Sequence, residues 1–143
     1  MTTIPITLDR PELAPAYASE GDAGADLRAA KSVTLAPGEY SIVPTGVRAA
    51  IPEGLVGLVH PRSGLAAKRG VTVLNAPGTI DSGYRGEIGV ILINHSDEST
   101  TIEEGDRIAQ LVLQRFERVD FDIVETLDTT TRGDGGFGST GHN

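Results

Sequence analysis

Apolar residues along this chain come in short bursts, with turn-forming residues between them. Tyr40, Ile42, Pro44 and Gly46 alternate with Ser41, Val43, Thr45 and Val47, which predicts one strand with both faces partly covered. Residues 55–59 and 88–93 are nearly continuous apolar runs, each the length of a buried strand. Residues 108–113 read the same way, with one amide, Gln110, inside the run. Val119, Phe121 and Ile123 alternate with Asp120 and Asp122, as a half-buried strand would. Pro37-Gly38, Pro52-Glu53-Gly54, Pro77-Gly78 and Glu104-Gly105-Asp106 mark turns between these runs. Many short strands at this spacing predict a β-sandwich, jelly roll or barrel. One short helix fits between them, with Ser63 capping residues 64–69 and Gly70 ending it.

From Asp128 onward the pattern fades. The only large apolar residue there is Phe137, too little to order the segment by burial. Residues 1–127 are therefore expected to form one domain, and residues 128–143 a flexible arm. Fully extended, the arm spans roughly 50 Å, enough to cross its own subunit or reach a neighbour.

Composition narrows the function. The chain has 143 residues and no cysteine, so there is no disulfide framework, thiolate zinc site or cysteine nucleophile. His60, His95 and His142 are scattered without ligand spacing, which disfavours a zinc site and Ser-His-Asp catalysis. The formal charge of −8 argues against nucleic acid as a partner, because duplex binding needs clustered Lys and Arg. A few placed arginines and a divalent cation would still let an acidic chain hold a small polyphosphate. The N-terminus has no basic segment followed by an apolar one, and no stretch approaches 18 apolar residues. These features predict a soluble intracellular, cytoplasmic protein, neither secreted nor membrane-associated.

Five segments are rich in polar and small residues. In residues 24–28, Asp26 is suited to orient water on a magnesium ion, although such an Asp is more often a turn former. Residues 61–66 place Arg62, Ser63 and Gly64 at the predicted helix start, where unpaired N–H groups suit phosphate. An ordinary capped helix with a surface arginine is the more common meaning of that hexapeptide. Residues 75–87 read as a hairpin carrying Asn75, Asp81 at a strand-to-turn junction, and Tyr84, a ring suited to pack on a sugar. In residues 105–111, Gln110 is an amide needing a partner, and Asp106 with Arg107 reads as a structural ion pair. Residues 132–141 hold Arg132, Phe137, Ser139 and Thr140 among glycines. That run has neither the lysine of a phosphate-binding Walker loop nor the strand–helix context of a dinucleotide fingerprint.

Taken together and in this order, the five segments resemble the motifs of the trimeric dUTPases (deoxyuridine triphosphate nucleotidohydrolases), from about residue 20 onward. The resemblance implies an all-β jelly roll with one short helix, a homotrimer, and active sites shared between subunits, each closed by an arm. It implies hydrolysis of dUTP to dUMP and pyrophosphate with Mg²⁺, which limits uracil in DNA and supplies dUMP for dTMP synthesis. By the same resemblance, Asp81 activates water, Arg62, Ser63 and Gly64 hold phosphates, and Gln110 lies near the α-phosphate. Asn75, Thr79 and Ile80 line the uracil and deoxyribose pocket, and Tyr84 stacks on the sugar. Arg132 meets the γ-phosphate, Phe137 covers uracil, Ser139 and Thr140 bind phosphate, and Asp26 holds magnesium through water.

Two positions depart from the family pattern. Ser82 stands where Ala is frequent, and Gly89 where some members carry a longer side chain beside the site. Two other readings remain open on sequence grounds: a dCTP deaminase of the same fold, and a catalytically idle trimer that binds a nucleotide or protein.

Overall fold

A computed structural model describes residues 1–141. In chain order its strands are β1 (Ile6–Leu8), β2 (Gly24–Arg28), β3 (Val33–Leu35), β4 (Tyr40–Pro44), β5 (Val47–Ala49) and β6 (Leu55–His60). They continue as β7 (Val71–Val73), β8 (Gly78–Ile80), β9 (Gly89–Asn94), β10 (Thr100–Ile102) and β11 (Arg107–Arg115), with helix α1 (Ser63–Arg69) between β6 and β7. One sheet runs β2-β11-β6-β8 and the other β4-β9-β7, with the ribbons β1-β5 and β3-β10 beside them. Every pairing is antiparallel. The sheets enclose Leu27, Val43, Val59, Val90, Leu92 and Ile108, all nearly inaccessible. This is the expected all-β jelly roll.

The continuous apolar runs became β6, β9 and β11, because a strand covered on both faces needs no polar alternation. The expected single strand over residues 40–47 is instead two. Gly46 takes a left-handed φ of 69°, and the chain leaves β4, paired with β9, to enter β5, paired with β1. At this corner the Thr45 hydroxyl donates to the Ile88 carbonyl at 2.6 Å and accepts from the Val47 N–H at 3.3 Å. A side chain at Gly46 would meet Leu13 Cδ1 at 2.5 Å, so both backbone and space require glycine.

Three further expectations are corrected. Ser63 does not cap α1. It is the first helical residue, and Arg62 occupies the cap position without a side-chain cap bond. Gly70 does end the helix as expected, left-handed at φ 64°, its N–H on the Ala66 carbonyl. Residues 75–87 are not a hairpin. β7 pairs with β9 in one sheet and β8 pairs with β6 in the other, so residues 74–77 cross between sheets. Residues 119–123 form no strand within the chain. Val119, Phe121 and Ile123 are 61%, 90% and 97% exposed, so no described residue covers them.

Candidate active site

The end of the four-stranded sheet collects residues from three distant segments. Asp26 on β2 lies directly opposite Gln110 on β11, which lies opposite His60 on β6. Directly opposed residues share a face, so these three form a row. The Gln110 amide donates to Asp26 Oδ1 at 3.4 Å. Gly24 makes room for it, since a Cβ there would meet Gln110 Oε1 at 2.9 Å. Asp26 is 7% exposed and is flanked by Arg62 Nε at 3.7 Å and Arg107 Nη1 at 3.6 Å. Burying a carboxylate is costly unless cations lie close by to compensate it. Two guanidiniums around one carboxylate leave a surplus positive charge, which suits phosphate oxygens.

Arg62 is tied further by donating to the Arg107 carbonyl at 3.0 Å. Behind it, a side chain at Gly64 would meet nothing within 4 Å, so that backbone faces open space. The expected ion pair between Asp106 and Arg107 is absent. Asp106 instead accepts the Glu103 N–H at 2.9 Å, while Arg107 reaches Asp26. Asp106 closes the turn with Glu103 just before β11 begins at Arg107, so its carboxylate is already engaged. Arg107 thereby joins a cluster that its sequence context did not announce.

A second group of residues lines a cleft at the β8 edge, where the two sheets meet. Its volume is about 210 Å³, and its walls include Asn75, Thr79, Ile80, Asp81, Tyr84 and Gly89. Cavities for whole drug-sized ligands run to roughly 300–1,000 Å³, so this one suits a fragment such as a base with its sugar. Asp81 follows the last residue of β8 and is exposed. Its carbonyl accepts the Tyr84 N–H at 3.1 Å, which folds the following turn. Among the described residues no cation pairs with its carboxylate, leaving that group open to water. Gly89 is at the rim, and a Cβ there would meet Ile42 Cγ2 at 2.7 Å. A longer side chain at this position would have to displace Ile42.

Arg132, Phe137, Ser139 and Thr140 are all exposed. The hydrogen bonds of residues 130–141 stay local: Arg132 Nε donates to Gly135 O at 2.8 Å, and the Ser139 N–H to Gly136 O at 3.0 Å. Phe137 sits at φ 44°, an uncommon conformation for an aromatic residue, and its ring is fully exposed. Within one chain these four residues join neither the cleft nor the arginine cluster. The last two positions of the expected arm, His142 and Asn143, lie outside the described residues.

No group of three or more His, Cys, Asp or Glu suited to hold a metal occurs among the described residues. Asp26, already flanked by two arginines, fits a cation better through an intervening water than by direct ligation. Mg²⁺ keeps several waters and relies on substrate phosphates, so such a donor set is compatible with it. No described helix is long and apolar enough to cross a membrane.

A family model described as dUTPase matches residues 11–141. The deoxyuridine 5'-triphosphate nucleotidohydrolase of Corynebacterium glutamicum is 57% identical over 137 residues, covering 95% of this chain and 92% of that protein. That of Cutibacterium acnes is 56% identical over 136 residues, covering 94% and 90%. Among solved structures, Staphylococcus bacteriophage 80alpha dUTPase with dUPNHPP matches with a TM-score of 0.90 at 31% identity, covering 99% of this chain and 100% of that one. A mutant dUTPase from phage phi11 of S. aureus, described with a coordinated structural Mg(II) ion, matches with a TM-score of 0.81 at 28% identity, covering 90% and 100%.

Proposed function

Because the chain belongs to the dUTPase family, we propose that it hydrolyses dUTP to dUMP and pyrophosphate, with Asp81 as the general base. The observation that carries the assignment of roles is an unpaired carboxylate, Asp81, at the mouth of a cleft sized for a nucleoside. A water oxygen attacks the α-phosphorus while Asp81 takes its proton. The bond from that phosphorus to the bridging oxygen breaks, and pyrophosphate leaves. No covalent intermediate is required.

Asn75, Thr79 and Ile80 line the base and sugar pocket, and Tyr84 packs on deoxyribose where a 2′-hydroxyl would stand. Arg62, Ser63, Gly64 and Gln110 receive the phosphates, with Arg107 adding positive charge to the same cluster. Asp26 would hold Mg²⁺ through water, and the ion, when bound, would neutralise phosphate charge. The protein acts in the cytoplasm, where it lowers the uracil available to DNA and yields dUMP.

Residues 1–127 make up the jelly-roll domain and residues 128–143 the arm. Three chains assemble, and each arm brings Arg132 and Ser139–Thr140 to phosphates and Phe137 to uracil in a neighbour's site. The exposed Val119, Phe121 and Ile123 support this assembly. Burying each against another chain contributes about 1.5–3 kcal/mol. Light scattering in dilute solution should therefore return the mass of three 15.0 kDa chains. A mass of one chain would contradict the assembly.

The substrate reading is tested by pyrophosphate release from dUTP, dCTP, dTTP and UTP, with Mg²⁺ and after chelation. Expected is fast release from dUTP alone, and only with Mg²⁺. A pocket excluding one methyl group discriminates by roughly 10–200-fold, which sets the scale for dTTP. Equal turnover of UTP would overturn the role of Tyr84. Ammonia from dCTP would make the protein a deaminase, and no turnover of any substrate would make it a binding protein.

A further inference from the structure

The loop that carries Tyr84 is exposed from residue 83 to residue 86, yet its tyrosine ring is held at two points and the turn is closed by a third contact. The Tyr84 hydroxyl donates to the Glu87 carbonyl at 2.7 Å. The ring folds back over Gly86, where a Cβ would meet the hydroxyl at 2.6 Å and Cζ at 2.8 Å. Arg85 Nη1 donates to the Ser82 carbonyl at 2.7 Å and closes the turn beneath. The acceptor of the tyrosine hydroxyl is therefore the backbone of Glu87, and what fixes Glu87 fixes the ring.

Glu87 is fastened from outside the loop. Its Oε2 accepts the Gly46 N–H at 3.0 Å, and its Oε1 lies 3.7 Å from Arg48 Nη2. Arg48 in turn meets Asp9 at 3.2 Å, and the Asp9 N–H donates to the Gly46 carbonyl at 2.9 Å. The next residue, Ile88, is bonded to the same stretch through Val47 O and Thr45. The sheet-switching corner at Gly46 thus anchors the end of the loop. Partly exposed ion pairs contribute little, so the Glu87–Gly46 hydrogen bond is the stronger anchor of the two.

We infer that Glu87 is a positioning residue: by holding the Tyr84 ring over Gly86 it sets how strictly the pocket refuses a ribose. The inference rests on the reading that Tyr84 packs on the sugar. It does not place Glu87 in contact with substrate.

Glu87→Ala, Glu87→Gln, Tyr84→Phe and Tyr84→Ala test it. Two quantities are measured: the ratio of kcat/KM for UTP to that for dUTP, and the ring signals of ¹³C-tyrosine in the free protein. The Tyr84 signal is identified by its loss in Tyr84→Phe. Glu87→Ala should raise the UTP/dUTP ratio about tenfold, the size of loss typical when an outer supporting partner is removed. It should also shift or broaden the Tyr84 signal. Glu87→Gln keeps an acceptor for the Gly46 N–H and should restore most of both. Combining Tyr84→Phe with Glu87→Ala should change the ratio no more than the larger single effect, because both break one linkage. An unmoved ring signal in Glu87→Ala overturns the inference. So does a ratio unchanged in Glu87→Ala but raised in Tyr84→Ala. If the ring signal moves and even Tyr84→Ala leaves the ratio unchanged, the positioning role of Glu87 stands and the sugar-packing role of Tyr84 is what fails.

Discussion

Asp81→Asn is expected to lower kcat by at least about 10²-fold, the contribution typical of a general base. KM for dUTP should move little. The side chain is exposed at the end of β8, so an amide of the same shape costs the fold nothing there. Asparagine can still hold a water by hydrogen bond, but it cannot accept the proton that water must lose. A loss in kcat without a loss in binding is the signature of an interaction made only in the transition state. Turnover within a few-fold of the unmodified protein would remove Asp81 from the role.

Truncation after Leu127 is expected to abolish most turnover while leaving the jelly roll folded. The buried core ends at Leu111, and the local hydrogen bonds of residues 130–141 support nothing upstream. The removed residues include Arg132, Ser139 and Thr140, whose guanidinium and hydroxyls meet phosphate in the proposed closed site. Phe137→Ala should cost less than truncation, because those polar contacts remain. Mixing truncated chains with Asp81→Asn chains sharpens the test. Where arms cross between subunits, some mixed trimers combine an intact Asp81 from one chain with an arm from another, and activity returns. No recovery after mass spectrometry confirms subunit exchange would mean that each arm serves its own chain.

The strands at the centre of the fold were legible because their cause is local. A run such as Val90-Ile91-Leu92-Ile93 must be covered on both faces, whichever strands cover it. Partners are a different matter. Residues 75–87 carried strand and turn signals in hairpin order, yet their strands pair across separate sheets. Val119, Phe121 and Ile123 alternate with acids as a half-buried strand would, yet they form no strand and stay exposed, because alternation alone supplies no partner strand to pair with. Asp81, Asn75 and Tyr84 stood out as chemistry on turns and do meet at one cleft. Arg107 did not stand out, because its neighbour Asp106 supplied an apparent partner whose carboxylate is instead taken by the turn N–H of Glu103. Glu87 was missed for a related reason: its partners, Gly46 and Arg48, lie some forty positions back along the chain.

The corner at Gly46 has an implication for anyone engineering the protein for heat resistance. Glycines at turns are favoured targets, since replacing them lowers the entropy of the unfolded chain. Here the left-handed backbone and the 2.5 Å approach to Leu13 already oppose the change. The same residue's N–H secures the loop end that holds the tyrosine, so under the proposed role of Glu87 a change at this corner would touch both resistance to heat and choice of nucleotide. Selection for a sturdier corner would surface as drift in substrate preference, far from any atom the nucleotide touches.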